Sequence, residues 1–112
     1  MATTIPSVTA LKNYLTGVLD RAGHHALNVN DIVLALIGGV IWKATTEIAV
    51  WSYDGAPGNI LWLNVNGQKY CFRYNHTSGE IEVCKDHHKG TVLRTFSNAT
   101  PLADVRSFFE SL

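Results

Sequence analysis

Apolar residues near the start of the chain recur every three or four positions. Val8, Leu11, Leu15, Val18, Leu19 and Ala22 keep this spacing behind a Pro6-Ser7 cap, which predicts a helix from about Ser7 to Ala22, ended by Gly23. Asn28 or Asn30 then caps a second helix, with Asp31 favourable in its first turn. The stretch from Ile32 to Ile37 is apolar all round, so this helix should be the more buried of the two and sit between other elements. Gly38-Gly39 offers either a stop or a point of close crossing. The stop is the preferred reading, with extended chain from about Val40.

Downstream the hydrophobic period shortens to two. Strands are predicted from Glu47 to Tyr53, Asn59 to Val65, Gln68 to Asn75, Glu80 to Lys85 and Thr91 to Phe96, with "DGAPG", "NG", "HTSG" and "DHHKG" between them. Asn66-Gly67 is the strongest of these turn signals, because a two-residue hairpin needs residues that accept positive φ. Thr100-Pro101 opens a last helix striped by Leu102, Val105, Phe108, Phe109 and Leu112. The order predicts a single α+β domain over residues 1–112: two N-terminal helices, an antiparallel meander sheet of four to five strands, and a C-terminal helix.

The turns also set a register. Asn66-Gly67 pairs Leu63 with Tyr70, Leu61 with Phe72 and Trp62 with Cys71, and "HTSG" adds Phe72 with Val83, Arg73 with Glu82 and Cys71 with Cys84. If "DGAPG" pairs Ser52 with Ile60 and Val50 with Trp62, one face carries Trp51, Leu61, Leu63, Tyr70, Phe72, Ile81 and Val83. The other carries Ile48, Val50, Ile60, Trp62, Cys71 and Cys84. Both faces are then apolar, whereas an antiparallel sheet commonly wets one. Either the helices divide between the faces or a second subunit closes one, and a homodimer is the expectation. Ile60, Trp62, Arg73, Phe108 and Phe109 are the candidate contacts with a partner or a second copy.

Composition narrows the chemistry. The chain has 112 residues, with nine basic and nine acidic side chains, so no net field steers it toward nucleic acid or a membrane. The start has no charged-then-apolar leader, and the longest apolar run, Ile32 to Trp42, is too short to span a bilayer, which predicts a cytoplasmic protein. The two Asn-X-Thr sequons, at Asn75 and Asn98, then read as chance matches.

Two cysteines in that compartment stay reduced. As cross-strand neighbours their Cβ atoms stand about 4.5–5.5 Å apart, wider than the ~3.8 Å of a disulfide, and two thiols make a poor zinc site. Packing beside Trp62 is the favoured reading. The histidine doublets, His24-His25 and His87-His88, fall in predicted loops and form no metal-ligand spacing with each other or with His76. The glycine pairs lack the lysine and helix of a phosphate loop. No cofactor, metal or catalytic residue is expected.

The succession "NILWLNVNGQKYCFRYNHTSGEIEV" followed by "TFSNATPLADVRSFF" resembles the small α+β proteins encoded by mobile gene cassettes of bacterial integrons, over roughly residues 30–112. The resemblance implies a stand-alone bacterial cytoplasmic protein with an accessory role, often self-associating. That group shares no activity, so it implies no catalytic residue. The reading adopted is a non-enzymatic homodimeric binding module for a protein or small molecule. Two alternatives stand beside it: a small enzyme using His87 and His88 with Asp86, and single-stranded RNA binding through Lys69 and Arg73.

Overall fold

The hydrophobic periods become helices and strands in the predicted order. The structure, a computed structural model, describes residues 2–53 and 56–112. Its elements are β1 (Ala2–Thr4), α1 (Val8–His25), α2 (Ile32–Lys43), β2 (Ile48–Tyr53), β3 (Ala56–Val65), β4 (Gln68–Asn75), β5 (Glu80–Lys85), β6 (Val92–Phe96) and α3 (Leu102–Glu110). The five expected strands form one antiparallel meander in sequence order, and β1 adds a short edge strand on β2 that the pattern did not announce.

Ser7 caps α1 by accepting the Ala10 N–H at 3.1 Å. The helix does not stop at Gly23. It runs on to His25, so the first histidine doublet ends a helix rather than lying in a loop, and His24 sits 3.6 Å from Asp20 one turn back. Within α1, Val8 points to solvent, whereas Tyr14, absent from the expected stripe, is buried.

The Gly38-Gly39 stop is also corrected. Helix α2 continues to Lys43, where a basic side chain suits the helix C-terminus, and Ala44 N–H bonds the Val40 carbonyl at 2.9 Å. Gly39 is instead the close crossing: a Cβ there would stand 2.3 Å from the ring of Phe109 on α3. Nor is α2 surrounded, since Leu34, Ile41 and Trp42 are more than half exposed. Its N-terminus is capped from a distance. Asn98 Oδ1 accepts the N–H groups of Asp31 and Ile32, both at 3.0 Å, while its Nδ2 donates to the Leu27 carbonyl and to Asn30 Oδ1. Neither Asn28 nor Asn30 is the N-cap residue.

Asn66 and Gly67 both take positive φ, 52° and 88°, as a two-residue hairpin requires, and every expected β3–β4 and β4–β5 pair forms, Cys71 against Cys84 included. The β2–β3 register differs. Val50 faces Leu61, not Trp62, and Ser52 faces Pro57, not Ile60. A bulge between Val50 and Ser52 and a β3 that already begins at Ala56 cause the slip; the "DGAPG" loop falls partly on positions 54 and 55, outside the described residues. An odd slip exchanges faces. Ile48 and Val50 therefore join Leu61, Leu63, Phe72 and Val83, while Trp51 crosses to the side of Trp62 and the cysteines.

All three helices pack on the first of these faces. Tyr14 of α1, five residues of α2, and Val105 and Phe109 of α3 share one core with Leu61, Leu63, Phe72, Ile81, Val83 and Phe96. Phe109 is 1% exposed and its ring stacks on Phe72 at 5.9 Å. Among the described residues no helix is long and apolar enough to cross a membrane.

Candidate functional site

The second face of the sheet is small and closed by its own protomer. Trp62, Cys71 and Cys84 are buried, with Ala49, Trp51 and Ile60 packed around them. Lys69 lays its ammonium 5.3 Å over the Trp62 ring, and the ring of His88 lies 6.3 Å from that of Trp51. Arg73 holds Glu82 at 2.7 Å and donates to the His88 carbonyl, which ties the β5–β6 loop across this face. Both thiols are free, and burial raises both pKa values, pushing Cys71 up to about 12. They act here as small apolar side chains, inert as nucleophiles at neutral pH.

The alternatives read from the sequence lose their geometry at this loop. The Asp86 carboxylate accepts from Gln68 Nε2 at 2.9 Å, and His87 Nδ1 accepts the Lys89 N–H at 3.1 Å. His88 faces Trp51, so no described hydrogen bond joins it to Asp86 as base and orienter. The charge of Arg73 is neutralised by Glu82, which removes half of the suggested RNA contact. No three His, Cys, Asp or Glu side chains gather among the described residues.

The candidate contact residues scatter. Trp62 and Phe109 are inside their own protomer, 7% and 1% exposed, Ile60 and Phe108 are half-buried, and Arg73 is in its ion pair. Exposed apolar side chains lie elsewhere, at Leu34, Ile41 and Trp42 on α2 and Leu102 on α3.

The feature with chemical capacity is a cavity of about 450 Å³ between α1, α2 and strands β3 to β5. From α2 it is walled by Val33, Leu36, Ile37 and Val40, and from the sheet by Leu61, Phe72 and Ile81. From α1 come Tyr14, Val18, Arg21 and Ala22, with Tyr74 and His76 also contributing. This arises from the helix period: Tyr14, Val18, Arg21 and Ala22 lie on one face of α1 at intervals of four, three and one. The size falls within the range of about 300–1,000 Å³ found for small-molecule sites, and the lining is apolar with few polar groups, as such sites are.

Tyr14 is 7% exposed, and its hydroxyl has no hydrogen-bond partner among the described residues. Burial holds its pKa up at about 12, with Arg21 acting against that rise, so the group stays a neutral donor at physiological pH. Sequence reasoning passed over Tyr14 and Arg21, since an aromatic and a long cation do not score as an apolar stripe. The four-then-three interval from Tyr14 through Val18 to Arg21 was the available signal.

Comparison with known protein families matches residues 11–106 to the family described as integron cassette protein VCH_CASS1 chain, a span that includes every α1 and α2 residue of the cavity wall. No curated protein is similar enough to be reported as a relative.

Proposed function

The chain belongs to this integron cassette protein family, and from that premise we propose that it is a non-enzymatic accessory protein that binds a small, largely apolar molecule between α1 and α2. The observation that carries the reading is the cavity of about 450 Å³, walled by aliphatic and aromatic side chains, with half-buried Arg21 and Tyr74 and exposed His76 also on its wall. A ligand seated there would remove the apolar wall from water, which stabilises by about 25 cal/mol per Å² of apolar surface buried. The bacterial cytoplasm is the compartment that goes with this reading, and two unbonded cysteines are compatible with it. Calorimetric titration with 1-octanol, a neutral apolar probe, tests the proposal. Saturable binding with a negative heat-capacity change is expected, and Val18→Phe, which extends a wall residue into the space, abolishes it. Heats that do not saturate, or that Val18→Phe leaves intact, contradict it.

A second reading, self-association, is favoured by one observation. Leu34, Ile41 and Trp42 lie on one face of α2, all more than half exposed, beside Leu102 at 68% exposure and a groove lined by Gly38, Gly39 and Val105. We propose this α2–α3 surface as the contact of a homodimer, in place of Trp62 and Phe109. Light scattering at several micromolar concentrations should exceed the 12.3 kDa protomer mass, and Trp42→Asp should return it to that mass without unfolding. A steady protomer mass in the wild type removes the dimer.

A further inference from the structure

We propose that the ligand of this cavity is an apolar carboxylate, its body against Val33, Ile37 and Phe72 and its carboxylate at the mouth between Arg21 and the Tyr14 hydroxyl. This rests on reading the cavity as a ligand site.

The arginines of the chain set the argument. Arg73 is paired with Glu82, Arg94 with Asp104, and Arg106 with Glu110. Arg21 is half-buried on the cavity wall and has neither an ion pair nor a hydrogen bond among the described residues. A cation drawn partly out of water normally has a counter-charge. None is at hand: no aspartate or glutamate lines the cavity among the described residues. Asp20, its neighbour in sequence, is exposed and faces His24 at 3.6 Å.

Local structure aims this charge at the cavity. Long helical side chains lean toward the helix N-terminus. Arg21 leans over Gly17, where a Cβ would stand 3.3 Å from its Nη1, so the glycine leaves room for the guanidinium to lie back along α1. That direction leads toward Tyr14, two turns before it. The Tyr14 hydroxyl is another polar group on this wall with no hydrogen bond among the described residues, and so is free to donate to a ligand.

A guanidinium and a neutral phenol together offer several donors and one positive charge. This suits a carboxylate, which accepts bidentately from arginine and carries a single negative charge. A phosphate dianion would leave charge uncompensated beside an apolar wall.

Titration calorimetry with octanoate and 1-octanol, equal in chain length and different in charge, separates the claims. The wild type should bind octanoate at least about tenfold more tightly than octanol, the scale of a charge-assisted hydrogen bond. Arg21→Met, which keeps the apolar stem, should erase that preference by weakening octanoate far more than octanol. Arg21→Lys should retain much of it, and Tyr14→Phe should weaken octanoate several-fold. The unmodified protein gives a check that does not depend on any variant folding: octanoate affinity should fall as salt rises while octanol affinity does not. Equal binding of the two probes, or a preference that survives Arg21→Met, overturns the carboxylate and leaves the cavity as a ligand site. Binding of neither probe overturns both.

Discussion

Gly38 and Gly39 are adjacent on α2, and the same substitution should act in opposite directions at the two. At Gly38 an added Cβ meets nothing within 4 Å, so Gly38→Ala gains the helix propensity of alanine, about 0.8–1 kcal/mol. At Gly39 the new methyl would lie 2.3 Å from Cδ2 and Cε2 of Phe109 and 2.6 Å from its Cγ. Carbon atoms in contact settle at about 3.5–4 Å, so the ring must retreat by more than about 1 Å. It has nowhere to go: Phe109 is 1% exposed and stacked on Phe72, with the ring planes 3° from parallel. Overpacking of this kind costs about 1–3 kcal/mol, which outweighs the propensity gain at all but its low end and leaves Gly39→Ala destabilised by up to about 2 kcal/mol. With an unfolding entropy of about 2.1 cal/mol/K per residue, each kcal/mol moves the melting temperature of a chain this size by about 4 °C. Thermal and urea melts of both variants should therefore bracket the wild type. Adding Phe109→Leu should relieve Gly39→Ala, so the double variant loses less than the sum of the singles. A Gly39→Ala protein as stable as Gly38→Ala would refute the close crossing.

Asn98→Ala removes the acceptor of two helix-terminal N–H groups and should cost about 1–2 kcal/mol in urea unfolding, whereas Asn30→Ala costs less; equal effects would deny Asn98 the capping role. Cys71 and Cys84 should react with a thiol reagent only on unfolding, giving two equivalents per chain in denaturant and almost none in the native protein at pH 8; prompt native reaction would contradict their burial. Tyr14 and Cys71 keep their protons to about pH 12 when folded, against ordinary values of 10.0 and 9.0. The unfolded chain releases these protons first, so stability is full below about pH 9 and declines as pH climbs toward 12. The urea midpoint should fall between pH 8 and pH 10.5, and fall less in Cys71→Ala; a flat profile would contradict this.

The parts of the fold readable from the chain are those with local causes. Asn66-Gly67 and the "HTSG" turn set the β3–β4–β5 register residue by residue, because turn chemistry and strand period act over a few positions. What was misread depended on distant partners. Gly39 looks like a helix stop until Phe109, seventy positions later, is known to lie against it. The α2 cap comes from Asn98, whose sequence context suggests only a sequon. The β2 register turned on a bulge that no residue type advertises, and it moved Trp51, Ile48 and Val50 across the sheet. Both faces stay apolar after that exchange, but they are covered differently from the expectation: the helices gather on one side, and Lys69, Arg73 and His88 lie over the other. The cavity was invisible for the same reason. Its walls come from separate elements, and only their packing shows that α1 brings Arg21 and Tyr14 to an apolar cavity.

That space is best tested by locating a ligand in it. With methyl-labelled protein and octanoate, nuclear Overhauser contacts should run from the ligand methylenes to Val18, Val33, Leu36, Ile37 and Ile81, the methyl-bearing wall of the cavity. Contacts confined to Leu34, Ile41 and Leu102, on the outer α2–α3 surface, would contradict the account and place binding on the exposed patch instead.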